Sequence, residues 1–453
     1  MNRTSVSPVM SRLSAYIAQA PGKPLAPAVL EKTKHHVLDT VAAMVSGSRL
    51  LPGRKAISFI KTLGGTREAC VIGSRIVTSA VNAALANGMS AHADETDDSH
   101  AASLTHPGCG VVPAALAMAE RERASGAALL RAVALGYDVG SRLTLSLDPY
   151  RFREDGHSTH SFGPTFGAAA AAAALAGLKA PQVRHVLSYA AQQASGISCW
   201  MRDPEHIEKA FDFGGMPARN GVTAAAMAAH GLTGVEDVFS GERSFFVAYK
   251  GDAEALVREL GATFEIMNAS IKRWSVGSPI QAPLDSLLEL LGEHRFEADE
   301  VRSLVVRVAH QGANTVDNRN MPDICMQHMC AVMLLDGSVT FRSSHEEKRM
   351  REARVLALRR KIELLGDDEL SRAMPSRQGI VELELTDGRR LRHHTRAVRG
   401  TPDNPMTRAE VDAKSYDLMA PVLGRSRARK LCDAVWNLDK LDDVRRLRTL
   451  LCR

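Results

Sequence analysis

The chain has 453 residues, 45% hydrophobic and 24% charged, and a formal net charge of +6. That length exceeds the roughly 250–300 residues that one hydrophobic core usually serves, so two domains are expected. The modest positive balance suits an acidic ligand, is too small to call for nucleic acid, and accompanies no run near the ~20 apolar residues of a membrane span. Aromatic residues are only 5%, and alanine is abundant, which favours closely packed helices over sheet sandwiches. The seven cysteines are scattered and form no C-x-x-C, so they read as reduced thiols of a cytoplasmic protein. The first residues lack the apolar core of a signal peptide.

In chain order, Ala26–Ser46 carries apolar residues at helical spacing. Residues 87–110, NGMSAHADETDDSHAASLTHPGCG, pack Asp94, Glu95, Asp97, Asp98, His92, His100 and His106 into one short segment. Carboxylates crowded beside imidazoles push each other's pKa values apart, as an acid and a base working near pH 7 require. This segment is expected to form part of an active site. A second loop, GHSTHSFGPTFG at 156–167, places His157 and His160 ahead of an alanine helix, whose N-terminus favours anions. The pattern G-x-x-A-A-A-x-A-x-x-G-L occurs at 167–178 and again at 221–232, each copy reading as a small-residue helix. Between them, residues 203–221 supply Lys209 and Arg219.

After about Ile271 the character changes. Lys272 and Arg273 stand at the apparent junction, followed by Gln281. His328 lies in the apolar helix ICMQHMCAVMLLDG. Residues 301–310, 379–385 and 390–395 alternate as strands, the last two joined by a Thr-Asp-Gly turn, while the highly charged stretch 344–365 reads as helix. From Thr407 the pattern is helical again. The expected architecture is mainly α: a large helical domain from residues 1–268 and 405–453, with a smaller α+β domain at 269–404 inserted. His92, Asp97, His100 and His106 include ligand types for zinc or manganese, but their spacing fits no compact metal motif. G-x-S-x-G, the Walker loop and the dinucleotide fingerprint do not occur.

The order of these landmarks resembles the MmgE/PrpD family: NG-x-x-x-H with an acidic run and then HP, a histidine loop leading into FGAAAAAAALAGL, a lysine before GG-x-x-ARNG, ASG at 194–196, GLTG-x-x-x-x-FSGE, and a K-x-W segment. That family includes 2-methylcitrate dehydratase, cis-aconitate decarboxylase and iminodisuccinate epimerase. The resemblance implies a homodimer that works on a small di- or tricarboxylate without metal or organic cofactor, away from membranes and nucleic acid. It places the family's acidic stretch on Glu95, Asp97, Asp98 and Ser99, its HP histidine on His106, its loop histidine on His157 or else His160, and its two active-site lysines on Lys209 and Lys272. The decarboxylase tyrosine falls on His328, and Gln281 stands where a histidine is common.

The expected function is therefore that of a lyase. Lys209 and Lys272, aided by Arg273 or Arg219, would neutralise carboxylates and stabilise an enediolate. His106 and the loop histidine would serve as base and acid, with Asp97 or Asp98 orienting an imidazole. Glu95, Ser99, Asn87, His160, Gln281 and His328 would complete the substrate contacts. Dehydration of a β-hydroxy acid comes first, and decarboxylation second, weakened by the loss of the tyrosine. An epimerase, or an acid-binding protein without catalysis, is the alternative.

Overall fold

The computed structural model describes residues 6–452 and is mainly helical with one smaller α+β unit. The larger unit takes the described residues up to Ala93, then Asp97–Ala269 and the chain from Arg408. The smaller takes Ser270–Thr407 together with the tripeptide Asp94–Thr96.

In the larger unit the first long helix, Pro27–Gly47 (α1), is followed by Ala80–Ala91 (α2), Pro107–Arg121 (α3), Gly126–Ser146 (α4), Thr159–Leu175 (α5) and Met216–Ala229 (α6). Alanine and glycine dominate the contact faces, so α5 lies fully buried among α3, α4 and α6. Its Phe162 and Phe166 share a hydrophobic core with Leu135, Val139 and Val222. The expected histidine loop is helical from Thr159 onward, so His160 is the second residue of α5. Ahead of α6 the helix widens: Phe211–Gly215 forms a turn of i→i+5 bonds between Ile207–Ala210 and α6. Wide turns of this kind often sit at functional sites. Its Gly214 meets Gly88 of α2 so closely that a Cβ on Gly88 would stand 2.4 Å from the Gly214 carbonyl oxygen.

The smaller unit carries a four-stranded mixed sheet. Its strands are Val301–Ala309 (β1), Ile362–Asp367 (β2), Gly379–Leu385 (β3) and Arg390–Thr395 (β4), in the order β2-β1-β3-β4. β1 pairs parallel with β2 and antiparallel with β3, and β3–β4 is the expected hairpin. Helices Gln281–Glu293 (α7) and Met326–Asp336 (α8) pack with the sheet around Leu284, Leu287, Val306, Met329 and Val381. The stretch 344–365 departs from the expected helix. It holds a short helix, Ala353–Arg359, and then enters β2, where Ile362 to Asp367 takes its backbone bonds from β1. A parallel neighbour supplies every second hydrogen bond and overrides the helix preference of Glu and Leu. The chain then returns to the larger unit through Arg408–Leu423 (α9). No described helix is long and apolar enough to cross a membrane.

Candidate active site

In the larger unit, three imidazoles gather around one phenylalanine and a fourth lies beside one of them. Phe213, in the wide turn, stacks on His160 at 3.7 Å between ring centroids and on His92 at 4.2 Å, with interplanar angles of 10° and 17°. Two parallel rings at such distances cannot share a face, so Phe213 lies between them. His106 sits beside this column, 5.1 Å from His92, 5.2 Å from His160 and 5.3 Å from Phe213. His206 is 5.2 Å from His92. The Lys209 ammonium is 5.2 Å from the Phe213 centroid and 5.6 Å from that of Trp200, both within cation–π range.

One carboxylate orients two of these rings. Asp97 Oδ2 lies 2.9 Å from His92 Nδ1, and Asp97 Oδ1 lies 3.2 Å from His106 Nδ1. Burial alone would raise the Asp97 carboxyl, but the charges and hydrogen bonds of His92 and His106 outweigh it and hold it well below the usual carboxylate range. An ionised carboxylate only accepts, so both Nδ1 atoms carry hydrogen. His160 is driven well below its ordinary value, first by burial and then by the neighbouring His106. It is a neutral imidazole at pH 7.

Helix starts set these positions. His106 is the N-cap of α3 and His160 opens α5, so both stand where backbone N–H groups favour an anion. The two starts are tied together by Thr159 Oγ1, which donates to the Leu104 carbonyl at 2.6 Å. The loop ahead of α3 is knitted by His100 to Ser103 at 2.8 Å and to Glu265 at 3.2 Å.

Asp97, His92 and His106 also offer three ligand atoms within 4.8 Å of one another, of types that suit zinc or manganese. The two imidazole–carboxylate hydrogen bonds engage the same three side chains.

Comparison with known proteins finds two family domains along the chain. The MmgE/PrpD N-terminal domain matches residues 11–256, and the MmgE/PrpD C-terminal domain matches residues 274–440. The chain belongs to the MmgE/PrpD family. Its relatives include the cis-aconitate decarboxylase of Homo sapiens, 25% identical over 93% of this chain and 90% of that protein. The cis-aconitate decarboxylase of Aspergillus terreus is 23% identical over 93% of this chain and 91% of its own. A cis-aconitate decarboxylase-like protein of Aspergillus oryzae is 25% identical over 93% of both chains. These relatives are enzymes by name, and the match to each runs nearly end to end.

Within this family member the residues expected from sequence divide into groups. His106, His160, Asp97 and Lys209 come together in the larger unit. His157 does not join them: it stacks on Phe152 at 4.4 Å and meets Phe162 and Tyr249 edge-on. Of the two loop histidines, His160 and not His157 lies in the group around Phe213. Asp98, expected to touch substrate, is fully buried and saturated, taking bonds from His36 Nδ1 at 2.7 Å, the Tyr137 hydroxyl at 2.6 Å and the Gly108 amide at 3.0 Å. It pins the first turn of α3 and thereby His106. Asn87 is likewise spent on the backbone, bonding the Cys70 carbonyl and the Ile72 amide, both at 2.9 Å. Arg219 pairs with the Asn220 side chain, and Ser99 is half-buried in the loop.

The smaller unit holds the others. Lys272 Nζ donates to the Glu95 carbonyl oxygen at 2.8 Å and lies 3.4 Å from Glu95 Oε2, both groups being buried. Beside Glu95, Asp94 Oδ2 is 2.9 Å from His345 Nε2. Gln281 differs from its expected role as a substrate contact. Its amide accepts from the Trp274 N–H at 3.1 Å and donates to the Trp274 and Val276 carbonyls at 2.8 and 3.0 Å, so it shapes the 274–276 loop. Arg273 packs over Trp274, 4.7 Å from the ring centroid, with Asp285 at 3.9 Å. His328 is fully buried in α8 with neither ring nitrogen hydrogen-bonded, and burial, followed by the charges of Arg359 and Arg349, lowers it to about 4.

Sequence reasoning gave His92 only as a member of the acid-rich segment and a possible metal ligand, and passed over Trp200, Asp212 and Phe213. His92 stood in the acid-rich segment and had a visible signal. The other three occur in ordinary helical context, and only the pair Gly214–Gly215 marks a close backbone approach there.

Proposed function

We propose that this protein is a lyase acting on a small di- or tricarboxylic acid, using its own histidines for proton transfer. The observation that carries this reading is the grouping of His106, backed by Asp97, with neutral His160 and the Lys209 ammonium around Phe213. Breaking a bond next to a carboxylate leaves an electron pair that a nearby cation and helix N-termini stabilise as an enediolate. In decarboxylation the C–CO₂ bond breaks, its pair remains on the unsaturated acid, and His106 Nε2 delivers a proton to that carbon. Water then restores the proton. In dehydration the same nitrogen takes a C–H proton, the pair becomes the double bond, and the departing hydroxide takes that proton from the imidazolium and leaves as water. Positioned proton transfer of this kind contributes ~10²–10⁴-fold.

Decarboxylation stands first, because the relatives from Homo sapiens and Aspergillus terreus, matched over nearly the whole chain, are cis-aconitate decarboxylases by name. Dehydration is the second reading, favoured by His328 standing where the family resemblance puts the decarboxylase tyrosine. The test is incubation in D₂O with cis-aconitate, citrate, 2-methylcitrate, tartrate and iminodisuccinate, followed by proton NMR. A new product carrying deuterium is expected, and its identity separates the two lyase readings from an epimerase. Folded His106→Ala, Lys209→Ala and Lys272→Ala variants are expected to lose turnover, and dialysis against a chelator is expected to leave it unchanged. No exchange with any of the acids by the folded protein would remove the proposal.

A further inference from the structure

Asp212 lies in the wide turn next to Phe213 and is outside the group of residues that would touch substrate. It is buried, and its Oδ2 accepts from the Ser158 hydroxyl at 2.5 Å. Ser158 is the N-cap of α5, two residues before His160, but its side chain makes no capping bond to the helix. Its oxygen is used sideways instead, donating to Asp212 and accepting from Trp200 Nε1 at 3.2 Å. Trp200 in turn stands edge-on to both His160, at 5.4 Å, and Phe213, at 4.7 Å. The Ser158 amide bonds the Gly196 carbonyl at 3.1 Å. Gly196, at φ +129°, closes the far side: a Cβ there would stand 2.0 Å from Ser161 Oγ and 2.6 Å from Asp212 Oδ1.

This arrangement fixes a distance. Ser158 precedes His160 by two residues and Asp212 precedes Phe213 by one, so the Ser158–Asp212 bond holds together the two backbones whose rings stack at 3.7 Å. We propose that Asp212 is a positioning residue that acts through Ser158 to set the orientation of His160 against Phe213. The inference rests on the reading above only in taking His160 as part of the active site. Burial pushes the Asp212 carboxyl up to about 7, partly offset by hydrogen bonds from Ser158 and Ser161. In either protonation state one oxygen remains an acceptor for Ser158. The nearby titratable groups are Glu208, on the same helical stretch, and Cys199, which donates to it at 3.2 Å.

The experiment compares Asp212→Ala, Asp212→Asn and Ser158→Ala in the full chain, reading both turnover and the His160 imidazole resonance, assigned by its loss in His160→Asn. Asp212→Asn keeps an acceptor and is expected to leave the resonance in place and turnover within a few-fold. Asp212→Ala and Ser158→Ala are expected to shift the resonance and to lower kcat ~10–100-fold with KM little changed, as loss of orientation does. If Asp212→Ala does not fold, Ser158→Ala carries the same test. An unmoved resonance in the folded alanine variants would overturn the proposal. A shifted resonance in a protein that turns over none of the acids would keep Asp212 as a positioning residue and remove the lyase reading.

Discussion

At the scale of single residues, two loop histidines three positions apart have different fates, and substitution separates them. His160→Ala is expected to lower turnover by ~10²–10⁴-fold. His157→Ala removes a ring from the Phe152–Phe162–Tyr249 cluster. It is expected to cost about 1 kcal/mol of stability with turnover nearly intact. Equal losses of turnover in steady-state assays would contradict the assignment. The His345–Asp94 pair predicts a pH effect. Burial pulls the His345 imidazole down, but the hydrogen bond and charge of Asp94 outweigh it and raise it to about 9. An imidazole at about 9 when folded and at its ordinary 6.5 when unfolded holds its proton more tightly in the folded chain. Its contribution, roughly 3 kcal/mol, is full below pH 6.5 and is lost as pH rises through 9. Melting curves between pH 6 and 10 are expected to show this decline in the natural sequence and a flatter one in Asp94→Asn. The density of acids and histidines at 87–110 singled out the segment of His106 and Asp97 in the sequence, and the family resemblance pointed to Lys209. The choice of His160 over His157 was not legible there, because it depends on which turn of α5 faces Phe213, and the saturation of Asp98 and Gln281 depends on partners distant in the chain.

At the scale of elements, the contact between α2 and the wide turn is the most sensitive to added volume. Gly88→Ala places a methyl group against the Gly214 carbonyl, backbone against backbone, with no flexible side chain to yield. The expected cost is about 1–3 kcal/mol, and turnover should fall as Phe213, the neighbour of Gly214, is displaced. Calorimetry and assay on one preparation check both, and an unchanged Tm would show that α2 moves aside at no cost. Helices were read well from sequence where small residues recur at helical spacing, as in α1, α5 and α6. The start of α5 was misplaced because glycines and a proline at 163–167 look like a loop in isolation, whereas packing on every side keeps them helical. β2 was missed for the converse reason: the strand exists because β1 is beside it, a fact that no local pattern carries.

At the scale of the whole molecule, the fold class was the most legible property, since composition and the change of periodicity near Ile271 both report on it. A ligand linkage is expected at this scale. An acid that binds the folded chain and not the unfolded one stabilises by about 2.7 kcal/mol at a hundredfold excess over Kd. The favoured acid should therefore raise Tm by several degrees in the natural sequence and by much less in Lys209→Ala, measured by scanning calorimetry. A shift of equal size in both would place the bound acid away from Lys209. A shift without any turnover would turn the protein into the acid-binding alternative.

The i→i+5 turn at Phe211–Gly215 holds one residue more than an α-helical turn needs, and each residue advances a helix by about 100°. Everything before it on the 207–229 stretch, Lys209 included, is therefore rotated by about that angle from where a continuous α-helix would put it. Deleting Gly215 would remove the extra residue and let the stretch close into an ordinary helix, with Lys209 and α6 in their present phase and every active-site side chain still present, yet without the widened turn that holds Phe213 between His92 and His160. In this protein the working geometry is encoded in the length of a helix as much as in the identity of its side chains, and a one-residue change in length would uncouple the two.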